Sequence, residues 1–101
     1  MVHKIFPNSE ELKIFCQKNH IIKMSLFGDV VNDCDTPDSE VDILVEFDPK
    51  HIPGLIRYAG MQCDLSDMLE GRAVNLRTKG FLSKYDRDEV LAEAEPIYEA
   101  A

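Results

Sequence analysis

Glu40 and Asp42 stand at alternate positions of the run Glu40-Val41-Asp42-Ile43-Leu44-Val45, separated by ten residues from the pair Gly28-Asp29. Side chains at i and i+2 of a strand leave the sheet on the same face. Two carboxylates are therefore held side by side where an ordinary strand would bury an aliphatic. Such a pair suits a hard divalent cation with oxygen ligands, most commonly Mg2+ carrying nucleotide phosphates. Gly28 closes the apolar run Met24-Ser25-Leu26-Phe27, where backbone N–H groups can meet those phosphates. The alternation alone describes equally a sheet edge with two solvated acids. The glycine at this offset favours a site.

The rest of the sequence arranges itself around that pair. Asn8 followed by Glu11 reads as the capping box of a first helix, whose stripe Leu12, Phe15 and Cys16 ends at Asn19-His20. Residues 21–27 read as a first strand and Val41 to Phe47 as a second, joined by a polar connection from Asp29 to Ser39 with one helical turn after Gly28. Pro53 marks a second helix, with Leu55, Ile56, Ala59, Cys63 and Leu69 near a 3.6 period and Gly71 as its stop. Ala73 to Thr78 reads as a third strand. A last helix from Ser83 carries Val90, Leu91, Ala94, Ile97 and Tyr98 on one face, with Pro96 kinking it or ending its regular part. The order is α-β-β-α-β-α, an α/β (α+β) domain in which helices pack on a small mixed sheet.

At 101 residues the sequence fits one domain spanning 1–101, too short to hold a separate substrate-binding domain. An enzyme of this size takes part of its substrate pocket from another molecule. A formal charge of -8 argues against direct nucleic-acid binding, which draws on clustered Lys and Arg. It suits a basic protein partner, or solubility alone. No apolar stretch approaches a membrane span and no signal-peptide pattern opens the chain. Cys16, Cys34 and Cys63 have no paired spacing and read as free thiols in a reducing cytoplasm. His3, His20 and His51 sit singly and take no role.

Leu26-Phe27-Gly28-Asp29 followed by Pro37-Asp38-Ser39-Glu40-Val41-Asp42-Ile43-Leu44-Val45-Glu46-Phe47-Asp48-Pro49 resembles the minimal nucleotidyltransferases (MNT proteins) of the DNA polymerase beta-like superfamily. The family pattern is Gly-Ser, ten residues, Asp-any-Asp, then a third Asp in a context like Val-Asp-Leu, which here reads Ala73-Val74-Asn75-Leu76-Arg77. The tail from Leu82-Ser83-Lys84-Tyr85 to Glu95-Pro96-Ile97-Tyr98-Glu99 resembles the family's closing helix. The resemblance implies a polymerase beta palm-like fold, with Gly28 and Asp29 at the nucleotide phosphates. It makes Glu40, Asp42 and Asn75 the catalytic set, Glu40 and Asp42 the metal ligands, one or two Mg2+ ions the cofactor and ATP the substrate.

Three letters depart from that pattern. Asp29 replaces a hydroxyl with an anion beside the phosphates; like charges at 4 Å and an effective dielectric of 20 repel by roughly 4 kcal/mol, which outweighs a neutral hydrogen bond. Glu40 lengthens one ligand arm by a methylene, and a displacement of about 1 Å can cost on the order of a hundredfold in rate. Asn75 offers an oxygen but cannot accept a proton.

The resemblance also implies a partner, because MNT proteins are commonly antitoxins paired with a HEPN ribonuclease toxin. The first functional reading is an antitoxin that binds and neutralises such a toxin with weakened transferase activity. The second is a working Mg-dependent adenylyltransferase that moves AMP from ATP to a tyrosine of the toxin. The third is a nucleotide-binding scaffold module without a toxin. Arg72, Arg77, Lys79, Lys84 and Arg87 read first as a solvated basic patch, and otherwise as a contact to triphosphate phosphates or an acidic partner.

Overall fold

The computed structural model describes residues 9–31, 36, 39–78 and 84–100. Asn8, and with it the capping box, lies outside them. Helix α1 (Ser9–Lys18) stops where the sequence indicates, and the reason is Asn19. Its buried side chain and its backbone N–H both donate to the Phe15 carbonyl, an otherwise orphaned acceptor of the last turn. His20, at φ 58°, then turns the chain into strand β1 (Ile21–Phe27).

A 3-10 turn (Gly28–Val31) ends β1, and buried Val30 anchors it in the core. Strand β2 (Val41–Phe47), helix α2 (Leu55–Met68) and strand β3 (Val74–Arg77) form a parallel crossover. Helix α3 (Lys84–Glu93) leads into strand β4 (Glu95–Glu99), and the sheet runs β3-β2-β1-β4. β1 is antiparallel to both of its neighbours. The mixed sheet with packed helices is the architecture read from the sequence, extended by a fourth strand.

That strand corrects the helical reading of the tail. Ile97 and Tyr98 do not continue the stripe of Val90, Leu91 and Ala94; they lie in a strand on the outer edge of β1, with Met24 opposite Tyr98, Ser25 opposite Pro96 and an irregularity in register at Ile97 between them. A residue before proline is disfavoured in helical geometry, which extends the chain at Glu95. Pro96, lacking an N–H, is tolerated on an edge strand. The gain is a hydrogen-bonded edge for β1 and burial of Ile97 in the core.

Leu12, Cys16, Met24, Leu26, Ile43, Val45, Met61, Leu65 and Leu76 form the centre of that core. Helix α2 contributes Met61 and Leu65, and its C-cap Leu69 joins them, with Tyr58 and Met68 half-buried beside them. Of the stripe expected to pack, Leu55, Ile56, Ala59 and Cys63 are exposed and only Leu69 is buried. Two apolar stripes at helical spacing compete on α2, and hydrogen bonds to β3 select between them. Tyr58 Oη donates to the Leu76 carbonyl, Gln62 Oε1 accepts the Leu76 N–H, and Ser66 Oγ donates to the Arg72 carbonyl. These residues, four apart, satisfy an edge strand's backbone and fix the helix's rotation. The helix begins after Gly54, not at Pro53, and Gly71 N–H closes its end on the Ser66 carbonyl.

Burial also sets the chemistry of Cys16, whose thiol is pushed up from 9.0 to about 12. The unfolded thiol ionises near its ordinary value while the folded one keeps its proton. Stability from this group is therefore complete below about pH 9 and is lost as pH rises from there toward 12. Native alkylation followed by peptide mapping should modify Cys63 and spare Cys16 until denaturant is added.

Candidate functional site

Strand register assembles the site. Phe27 of β1 stands opposite Asp42 of β2, and Asp42 stands opposite Asn75 of β3, so three strands deliver three residues in one row. Gly28 follows Phe27 directly and turns at φ 75°, a conformation favoured by glycine. An ideal Cβ built on Gly28 would run into Asp42 Oδ2. The glycine is thus required twice, for its backbone angle and for the space the carboxylate occupies.

Asp42 is half-buried and its other oxygen, Oδ1, accepts a hydrogen bond from Asn75 Nδ2 at 2.9 Å. A carboxylate only accepts, so it is the amide nitrogen of Asn75 that faces it. Such a charge-assisted bond contributes about 1.5–3 kcal/mol. Glu40 stands just before the first residue of β2 with an exposed side chain. Its position is held by its neighbours: Val41 N–H donates to the Ala73 carbonyl, and Arg72 Nη2 donates to the carbonyls of Thr36 and Ser39. Asp29 lies in the 3-10 turn after Gly28, and its side chain is outside the described part of the structure.

The basic patch separates on inspection. Arg72 ties down the segment before β2, and Arg77 Nη1 donates to the Leu76 carbonyl. Lys79, and the side chains of Lys84 and Arg87, fall outside the described residues. Among the described residues, no three His, Cys, Asp or Glu side chains converge as a metal site. Glu40 and Asp42 supply the hard oxygen-donor type that Mg2+ takes, and Asn75 adds no carboxylate to them.

Sequence reasoning missed a pairing at the far end of the sheet. His20 and His51 stack with ring centroids 3.9 Å apart and planes 10° from parallel. The turn after β2 places His51 there: its N–H donates to the Asp48 carbonyl and its Nδ1 lies 3.4 Å from Asp48 Oδ2. The Lys50 backbone N–H, and then His51, hold the Asp48 carboxyl below the usual carboxylate range. The rings border a cavity of about 240 Å³ lined also by Ile52, Pro53 and Arg57. Parallel rings aim their in-plane lone pairs side by side, so they do not converge on a metal. The 31-residue separation of the two histidines hid the pair.

A glycine turn thus faces a strand carboxylate across paired β1 and β2. The nucleotidyltransferase domain matches this chain over residues 9–97. The chain belongs to the nucleotidyltransferase domain family. Within it, the fold is that of the minimal nucleotidyltransferases. A solved protein assigned as one is 27% identical, with a TM-score of 0.71 and 87% of each chain covered. A toxin–antitoxin complex crystallised with AMP-PNP contains a chain with a TM-score of 0.73 at 17% identity, covering 92% of this protein and 74% of that chain. The toxin–antitoxin complex MntA-HepT gives 0.64 at 17% identity, with 92% and 71% covered. No curated protein matches the sequence. Nucleotidyltransferases of this family generally use a nucleotide and a divalent metal. Among the described residues, no helix of this member is long and apolar enough to cross a membrane.

Proposed function

We propose that this minimal nucleotidyltransferase is an antitoxin that binds and neutralises a HEPN-type ribonuclease, its transferase activity weakened at Asp29, Glu40 and Asn75. The hydrogen bond from Asn75 Nδ2 to Asp42 Oδ1 carries the reading. Where the family pattern has a third carboxylate, a neutral amide satisfies Asp42 without a cation. Neither proton acceptance nor a second ion is available from that position. The likeness to chains of toxin–antitoxin complexes supports the partner class, and the acidic charge of -8 complements an RNA-binding surface.

The active adenylyltransferase remains the second reading, favoured by the retained contact between Gly28 and Asp42. In it, Gly28 and the following turn offer backbone donors to ATP phosphates, and Asp42 with Glu40 binds Mg2+. The ion's contribution would be to neutralise charge on the phosphates. Asp42 then orients that ion while the Asn75 amide orients Asp42.

Incubating the purified chain and a HEPN partner with labelled ATP and Mg2+ separates the two. Stoichiometric inhibition of the ribonuclease without label on its tyrosines is the expected result. Label that disappears in Asp42→Ala establishes the enzyme instead. A chain that neither binds nor inhibits the ribonuclease overturns the antitoxin role.

A further inference from the structure

Helix α2 shows solvent a face built like an interface. Ile52, Leu55 and Ile56 are 66, 82 and 91% exposed, and Ala59 and Cys63 continue the apolar stripe along the helix. Gly60 lies within this surface, and nothing comes within 4 Å of where its Cβ would be. A mid-helix glycine weakens a helix, but here it leaves a gap through which another helix can approach closely. The polar residues on this face are ordered by sign. Arg57 lies two turns before Asp64, about 10 Å along the axis and on the same flank, and Asp67 follows. The first turn of α2 carries no acidic residue.

We propose that this face joins two copies of the chain in an antiparallel, two-fold symmetric α2–α2 contact centred near Gly60. A two-fold axis normal to both helices, between positions 60 and 61, carries Arg57 onto Asp64 of the second copy and its Asp64 onto Arg57. The same operation sets Asp67 against the Gly54 end of the other helix, where Arg57 and His51 border the cavity. Ile56, Ala59 and Cys63 fill the middle. A parallel pairing would set Asp64 against Asp64, and a uniformly basic partner would have to face Arg57. Antiparallel self-pairing matches both ends.

Two chains of charge -8 repel at long range, but at 0.15 M salt that repulsion is screened beyond about 8 Å, while contacting pairs keep their attraction. One helix and the Ile52-Pro53 segment make an interface at the small end of the stable range, so dissociation constants around the micromolar level are expected.

Sedimentation velocity of the full chain alone, from about 1 μM to 1 mM at physiological salt, tests this. A reversible dimer is expected. Ile56→Asp should raise its dissociation constant about tenfold or more, with an unchanged circular dichroism spectrum because the residue is exposed. Arg57→Glu and Asp64→Arg should each weaken the dimer about tenfold, and mixing these two variants should restore it, since each heterodimer regains two opposite-charge contacts. A chain monomeric across that range, or a mixture no tighter than either variant, overturns the proposal. So does a monomeric chain whose Ile56→Asp variant loses the ribonuclease, which would assign the face to that partner.

Discussion

Gly28→Ala should cost about 3 kcal/mol of folding free energy, because one methyl group meets two independent obstacles. The φ of 75° is a left-handed conformation that strains any residue with a Cβ. The Cβ would also run into Asp42 Oδ2, and Asp42 is tethered on its other oxygen to Asn75, so retreat breaks that bond. The two contributions are separable. In Gly28→Ala with Asp42→Ala the colliding atom is gone and only backbone strain remains. A double-mutant cycle by urea denaturation should therefore show the pair less destabilised than the sum of its members, with a coupling of about 1–2 kcal/mol. Strict additivity would mean that the turn and the carboxylate do not touch. On the proposed reading, in which this turn offers N–H groups to nucleotide phosphates, nucleotide binding by any surviving folded Gly28→Ala should fall in parallel.

Reverting Asp29→Ser, Glu40→Asp and Asn75→Asp together is expected to raise nucleotidyl transfer from ATP by about a hundredfold or more. The reversion removes an anion from beside the phosphates, shortens one ligand arm and supplies the third carboxylate. Stability gives a second readout that does not depend on turnover. Asn75→Asp alone replaces a charge-assisted hydrogen bond with two facing carboxylates, a loss of about 3 kcal/mol in the absence of divalent ions. Added Mg2+ should return much of that loss in the variant while barely moving the melting temperature of the unmodified chain. Persistent inactivity of the triple revertant, with Mg2+-dependent stabilisation intact, would place the defect in partner or nucleotide docking and not in the carboxylate set. A variant indifferent to Mg2+ would show that position 75 does not border a cation site.

Much of the candidate site is legible along the chain because its signals are local. The ten-residue offset between Gly28-Asp29 and Glu40 and the alternation through Asp42 each depend on neighbours in sequence. Local spacing likewise marked α1, β1, β2 and β3, whose ends fall within a residue or two of those expected. Asn75 was reachable through its family context but not its geometry: no spacing rule says that its amide meets Asp42, a contact created by parallel β2–β3 register.

Other outcomes were decided by competition in three dimensions. Glu95–Glu99 carries apolar residues compatible with both helical and extended periods, and the unfilled edge of β1 settled it as a strand. Helix α2 carries two apolar stripes, and the carbonyl and N–H of Leu76 chose which one turns inward, leaving Ile56 in water. His20 and His51 met because the ends of β1 and β2 are adjacent in an antiparallel pair. Amino-acid order alone determined where carboxylates and glycine would sit along or beside their own strands, since pleat and turn geometry act over a few residues. Which faces are covered, and which side chains touch across strands, depended on packing, because burial and hydrogen-bond satisfaction are properties of the whole assembly.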